Sequence, residues 1–261
     1  MDYFRDLKQT KIVDKKEFND FIEKKKLLIP KINSGYKNID NALNGGFYPQ
    51  NCYLIFGPNM SGKTQFCHQL CIQAFKNSIK TIFLDSENTF RPERINELSK
   101  ESNIDGEKVL KNILVSKIMS NTALNLKLDE IEKQIQESAL NLLIIDSINN
   151  YYRVEHGEKH TSSHSSKIIF QTILEKINFL TTTFNLITIL TAQVTPNFIL
   201  DEPIRDLPVG LSYLNHYLSE FIYLSNKEQT IGSIHYVNSI CYPEKKIQYR
   251  ITRNGIVDYK F

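Results

Sequence analysis

The segment Gly57-Pro58-Asn59-Met60-Ser61-Gly62-Lys63-Thr64 sets two glycines, a lysine and a hydroxyl in the spacing G-x-x-x-x-G-K-[ST]. Those residue types at that spacing hold phosphate. Glycines let backbone N–H groups wrap an anion, and the start of a following helix adds positive potential. Lys63 reaches the outer phosphates and the Thr64 hydroxyl ligates Mg²⁺, with Gln65 continuing the contact stretch. The predicted ligand is a nucleoside triphosphate. Two further acids extend the chemistry. Leu142-Leu143-Ile144-Ile145-Asp146-Ser147 is an apolar run ending in a carboxylate, which would hold Mg²⁺ opposite Thr64 or, alternatively, cap the next segment. In Asp85-Ser86-Glu87-Asn88-Thr89-Phe90-Arg91-Pro92-Glu93-Arg94, Glu87 is placed to polarise an attacking water; the alternative is an acid that initiates a helix ahead of Arg91-Pro92.

Positioning these groups requires a parallel sheet. Strand, glycine loop and helix are read as Cys52–Phe56, Gly57–Gly62 and Lys63–Lys76, the helix carrying apolar groups at Phe66, Cys67, Leu70, Cys71 and Ala74. Further strands are expected at Thr81–Asp85, Ile113–Val115, Leu142–Asp146 and Leu186–Ala192, with helices at Arg91–Lys100, Leu126–Ala139 and Lys167–Thr182. Alternation of this kind is the signature of crossover helices on a parallel sheet, and the carboxyl ends of its strands are where a ligand binds. After Ala192 a β meander is predicted: Phe221–Leu224, Ser233–Ile240 and Lys246–Thr252, with turns at Asn226–Gly232 and Tyr242–Lys245. Residues 1–33 read as a lysine-rich helical arm, with Phe18, Phe21 and Ile22 at near-helical spacing, and 34–261 as one α/β ATPase domain.

Composition narrows the classes. Apolar content of 41% suffices for a core, and a formal charge of +3 permits a nucleic-acid partner without a surface of one sign. Cys52, Cys67, Cys71 and Cys241 form no C-x-x-C, which points to a reducing compartment. Cys67, His68 and Cys71 have the types for a metal site, but Cys67 and Cys71 are i, i+4 on the loop's helix and read better as its buried face. No apolar run is long enough to cross a membrane, and Met1–Asp6 has no signal-like core.

The chain resembles the RecA/RadA recombinases, in the branch of archaeal RadA–RadB and eukaryotic strand-exchange proteins. The likeness is carried in order by Ser34-Gly35-Tyr36, Leu43-Asn44-Gly45-Gly46-Phe47, the Gly62–His68 run, Glu87–Arg94 and Ile144–Ser147. Ala192-Gln193-Val194, Pro208-Val209-Gly210, Asn215-His216, Tyr242-Pro243-Glu244 and Arg250–Gly255 extend it. The resemblance implies a RecA-type α/β core binding ATP and Mg²⁺, Glu87 as catalytic glutamate, and Gln193 as γ-phosphate sensor relaying to a DNA loop. Arg94 and Pro243 would sandwich the adenine, and His216 would link nucleotide state to a neighbouring subunit. Asn238 stands where the family's nucleotide cap usually has an aspartate.

The DNA-facing segments depart from the pattern. The first loop, Arg153–His160, keeps Arg153 and Lys159 but adds Glu155 and Glu158; His156, His160 and His164 have metal-like spacing within a mobile-loop composition. The second, Thr195–Leu207, has Asp201, Glu202 and Asp206 against Arg205 alone. Phosphate contacts dominate DNA affinity, so weak single-strand binding is expected. The arm ahead of Ser34 is short for the helical DNA-binding domain of full-length recombinases, and Ile12-Val13-Asp14-Lys15 stands where they place a Phe-x-x-Ala docking segment. The expected function is a slow, DNA-stimulated ATPase of recombinational repair, accessory to a full-length recombinase or paralogue, in the cytoplasm, nucleoid or nucleus. A principal strand-exchange enzyme and a KaiC-like regulatory ATPase are the alternatives.

Overall fold

A computed structural model describes residues 31–43, 45–135, 141–157, 163–198, 204–218, 220–226, 228, 230–238 and 245–259. The chain divides into two units, Met1–Pro30 and Lys31–Phe261. The expected helix with Phe18, Phe21 and Ile22, the Ile12–Lys15 segment, Lys159, His160, Ile199–Pro203, Cys241 and Pro243 lie outside the described residues, and the Asn238 side chain is not described.

The described helices are α1 (Lys37–Ala42), α2 (Lys63–Lys76), α3 (Pro92–Glu101), α4 (Gly106–Lys111), α5 (Asn121–Ile135), α6 (Asn150–Gly157), α7 (Ser163–Thr183) and α8 (Leu211–Tyr217). The strands are β1 (Asn51–Phe56), β2 (Lys80–Asp85), β3 (Ile113–Lys117), β4 (Asn141–Asp146), β5 (Ile187–Ala192), β6 (Val194–Pro196), β7 (Asp206–Pro208), β8 (Glu220–Asn226), β9 (Ile231–Asn238), β10 (Lys245–Thr252) and β11 (Gly255–Asp258). Nine of them form one sheet in the order β11-β10-β9-β8-β1-β5-β4-β2-β3. It is parallel from β8 to β3 and antiparallel from β8 to β11. This is the expected α/β architecture with its C-terminal meander.

Register brings the chemistry to one edge. Phe56 lies opposite Ala192 and Asp85 opposite Asp146. The next residues out of those strands, Gly57, Gln193, Ser86 and Ser147, therefore leave the sheet at the same level. Parallel strands buried on both faces need continuous apolar runs. Leu142–Ile145 and Leu54–Phe56 supply them, each almost fully buried. One layer holds Phe66, Leu70, Ile95, Val109 and Tyr249, and the other Leu128, Tyr152, Phe170, Ile177 and Leu190. Helix α2 is buried from Phe66 to Ala74, Cys67 and Cys71 included, because it is wedged between the sheet and its neighbours rather than laid on the surface.

Several boundaries differ from those read in the sequence. Helix α5 begins at Asn121, not Leu126, because the Ser120 hydroxyl accepts the Ala123 N–H at 3.0 Å and caps it. Residues Arg153–Gly157, expected as loop, continue helix α6. Tyr152 anchors that helix by stacking on Phe170 at 4.3 Å between ring centroids, and the Tyr151 hydroxyl donates to the Ile118 carbonyl at 3.0 Å. Helix α7 starts at Ser163 and strand β3 runs to Lys117. Strand β8 continues through Asn226, two residues past the expected Leu224, and β9 begins at Ile231, ahead of the expected Ser233. Helices α1, α4 and α8 and strand β11, all of seven residues or fewer, were not anticipated. Elements that short carry barely two turns or two alternations, too few for periodicity to register. Among the described residues, no helix is long and apolar enough to cross a membrane.

Candidate functional site

The glycine loop joins β1 to α2 with Gly62 in the left-handed region at φ 93°. A Cβ on Gly57 would collide with the Leu224 carbonyl oxygen, so the loop's first position admits no side chain where it crosses β8. From α2, Lys63 folds back over this loop: its Nζ donates to the Gly57 carbonyl at 2.9 Å and the Pro58 carbonyl at 3.0 Å. Burial lowers the Lys63 pKa, while Asp146 and Glu87 act in the opposite sense. The next residue, Thr64, donates its hydroxyl to Asp146 Oδ2 at 2.6 Å. The structure thus brings Thr64 and the strand-terminal acid together.

Asp146 is 1% exposed at the end of β4, with Thr89 donating to Oδ2 at 3.0 Å and Thr191 donating to Oδ1. Burial raises its pKa, the three hydroxyl bonds pull it down, and Glu87 adds repulsion. A desolvated carboxylate ringed by hydroxyl oxygens, close to a second acid, is a hard-oxygen donor set of the kind that suits Mg²⁺. Ser61 Oγ, Gln65 Nε2 and Gln193 Oε1 are buried without a hydrogen-bond partner. Orphaned polar atoms in one loop, on its helix and at the neighbouring strand end call for a polar ligand. The residues present therefore fit a nucleotide with its cation.

Glu87 leaves β2 at the same edge. Its Oε1 accepts from the Ser147 hydroxyl and from Gln193 Nε2, the latter at 2.7 Å. Three expected site residues from three strand ends, Glu87, Asp146 and Gln193, are thereby brought together around the loop. Gln193 opens directly into the β6–β7 ribbon, in which Val194 pairs with Pro208. Arg94, expected against the adenine, lies along α2: Nε donates to Gln65 Oε1 at 2.8 Å, and its other nitrogens to Glu97 at 2.6 Å and the Thr252 carbonyl at 3.2 Å. Arg153, Arg205 and His216 are exposed, His216 lying edge-on to Tyr217 on α8. Among the described residues there is no group of three metal-ligating side chains of the His, Cys, Asp and Glu types.

Sequence reasoning missed the residues that hold these groups in place. Asp85, 5% exposed, accepts the Glu87 N–H at 3.2 Å and the Thr89 and Phe90 N–H groups at 3.0 Å, so one carboxylate shapes the turn that presents Glu87. Asn149 accepts the Gln193 N–H and donates to the Gln193 and Val209 carbonyls, clasping the residues that lead into and out of the ribbon. Asp85 could have been found, since it ends its strand as Asp146 does. Asn149 carries no local signal.

His68 closes the far end of the Glu87 turn. Its Nε2 accepts the Arg91 N–H at 3.3 Å, and the ring stacks on Phe83. Burial, with Arg94 and Arg91 adding to it and Asp85 opposing, pushes its pKa down to about 4. The unfolded chain takes up this proton near pH 6.5 and the folded one only near 4, so the unfolded state binds more protons in between. Stability should therefore fall as pH drops through that window, by about 3 kcal/mol in all for this residue. Urea denaturation at pH 7.5, 5.5 and 4.5 checks it: His68→Gln, which keeps an acceptor and loses the proton site, should flatten the dependence. Equal pH profiles for the two proteins would contradict it.

The comparisons with known proteins agree with this geometry. The family model described as Rad51 matches residues 24–259. The DNA repair and recombination protein RadA of Cenarchaeum symbiosum (strain A) is 30% identical over 249 residues, which cover 91% of this chain and 61% of that protein. The chain thus spans about three fifths of that relative's length. On the match of nearly its whole length, and on a sheet whose strand ends assemble the glycine loop, Glu87 and Asp146, the chain belongs to the Rad51 family of RecA/RadA recombinases.

Proposed function

We propose that this protein binds ATP with Mg²⁺ at the β1–α2 loop, hydrolyses it slowly under DNA control, and acts in recombinational DNA repair beside a full-length recombinase. The observation that carries the reading is the Gln193–Glu87 hydrogen bond of 2.7 Å. It couples the water-side acid directly to the residue that leads into the β6–β7 ribbon, which would correspond to the family's DNA loop. Lys63 and the loop amides would hold the phosphates, and Thr64 and Asp146 the cation, whose charge supplies electrostatic stabilisation when bound. Glu87 would take the proton of the attacking water. Gln193, freed from Glu87 when its amide engages a phosphate oxygen, would pass that change into β6. Arg94 and Pro243 would flank the adenine and His216 would face a neighbouring subunit. Arg153, Lys159 and Arg205 are the proposed DNA contacts on the loop side.

The accessory role follows from charge. The segment Thr195–Leu207 carries three carboxylates and one arginine, a poor match to a phosphodiester chain. ATPase assays with and without single-stranded DNA should show modest stimulation that fades between 50 and 200 mM salt. Electron microscopy with single-stranded DNA and a non-hydrolysable ATP analogue should show no long regular filaments. Continuous filaments together with strand exchange in the absence of any other recombinase would overturn the accessory reading in favour of a principal recombinase. Its place of work is the chromosome, in nucleoid or nucleus.

A further inference from the structure

The carbonyls of the glycine loop are held by donors of two kinds. Lys63 Nζ takes those of Gly57 and Pro58, at 2.9 and 3.0 Å, and would exchange them for phosphate oxygens. The meander takes two more. At the end of β8 the Asn226 side-chain amide donates to the Asn59 carbonyl at 3.2 Å, an exposed contact. From β10 the Tyr249 hydroxyl donates to the Ser61 carbonyl at 2.6 Å, and this bond is buried. Neither donor carries a charge that phosphate would draw away, so both bonds can outlast the arrival of a ligand.

Tyr249 reaches the loop from far across the sheet, since β9 and β8 lie between β10 and β1. Its partner in the register is Gly232 of β9. A Cβ on Gly232 would lie 2.4 Å from the tyrosine ring, so the ring crosses β9 where that strand has no side chain. Ile251, on the same face of β10, and Ile256 of β11 support the next residue of the loop: a Cβ on Gly62 would meet their δ-methyls at 3.1 and 3.0 Å. Tyr249 is fully buried, and burial pushes its phenol pKa up, so the group remains a donor at any physiological pH. A phenylalanine ring would fill the same space. The hydroxyl adds one thing, its bond to the loop.

That bond sets the direction of a donor. The Ser61 carbonyl and the Gly62 N–H belong to one planar peptide and point to opposite sides of the chain. Holding the oxygen toward the meander therefore turns the N–H away from it. Gly62 is the N-cap of α2, and among the described residues its N–H meets no backbone acceptor. Free N–H groups at such a helix start are the ones that receive phosphate. A peptide next to a glycine turns over easily, because glycine has several backbone wells open to it. We propose that Tyr249 is a positioning residue of the nucleotide site, whose hydroxyl locks the Ser61–Gly62 peptide so that the Gly62 N–H already faces the phosphates when they arrive. The inference rests on the proposed ATP site and adds to it a residue from the opposite end of the chain.

The test compares Tyr249→Phe with the wild type by displacement of a fluorescent ATP analogue. ATP and ADP should each bind the variant about tenfold more weakly, the scale of one hydrogen bond that no longer holds a donor in place. Adenosine should bind both proteins equally. A second measurement follows the peptide itself. Gly35 and Gly62 are the glycines that follow a serine in this chain, so protein isotope-labelled at the serine carbonyl and the glycine nitrogen shows their amides alone in a carbonyl-filtered NMR spectrum. ADP should shift the Gly62 signal strongly in the wild type and weakly in Tyr249→Phe. Gly35, beside Gln73 near the other end of α2, should stay in place in both and reports that each is folded. Wild-type affinity for ATP and ADP in Tyr249→Phe would overturn the inference. So would an equal loss for adenosine, which would mark Tyr249 as a packing residue only. A Gly62 signal that ignores bound ADP in the wild type would overturn it without any variant. A wild-type protein that binds no nucleotide would overturn the proposed function, and the inference with it.

Discussion

Replacing Glu87 by glutamine should leave ATP affinity within a few-fold of wild type and lower turnover by roughly two to four powers of ten, the scale of general-base loss. The contacts explain why this substitution is informative. Glu87 uses one oxygen, Oε1, to accept from Ser147 and Gln193. Glutamine keeps an Oε1 in that position, so both bonds and the turn built on Asp85 survive. What disappears is the capacity to accept a proton. If Glu87 were only a helix-initiating acid, the variant would lose a little stability and keep its rate. Single-turnover hydrolysis, measured beside ATP binding and thermal unfolding, separates the two. Wild-type turnover in Glu87→Gln would remove the catalytic assignment, and Gln193 would lose its role as the link between hydrolysis and the ribbon.

Most of this site was legible because its parts are local in sequence. A glycine loop needs a strand before it and a helix after it, and the apolar runs on both flanks announce them. Asp146 and Glu87 could be placed because the end of a parallel strand is a fixed address in such sheets. What was illegible depends on register or on packing at a distance. Thr191 meets Asp146 only because β4 and β5 pair as Ile145 with Leu190. Asn149 matters only because the ribbon returns to it from Val209. Helix α6 was hidden by its polar second half, which gave Arg153–Gly157 the composition of a loop although Tyr152 anchors it to Phe170.

Lys63→Ala should weaken ATP binding by roughly 10²- to 10³-fold, because it deletes a partly buried ammonium whose charge-assisted bonds have no substitute at that position. In this structure the ammonium donates to two carbonyls of its own loop, Gly57 and Pro58. Those bonds keep a desolvated cation satisfied at the loop, and phosphate oxygens are stronger acceptors than the carbonyls they would replace. Burial that lowers the Lys63 pKa argues the same way. A cation so placed gains more from an anionic ligand than one in water, since the interaction strengthens as the local dielectric falls. The loss should be graded by ligand: large for ATP, smaller for ADP, and slight for adenosine, which has no phosphate to lose. Thr64→Val supplies the complementary cut. It removes the hydroxyl that meets Asp146 at 2.6 Å, so binding should suffer when Mg²⁺ is present and change little when it is chelated. Titrations of a fluorescent ATP analogue, with and without Mg²⁺, measure both. Unchanged ATP affinity in Lys63→Ala would mean that the loop's N–H groups alone hold the phosphates, and the assignment of Lys63 would fall while the fold that presents it stood.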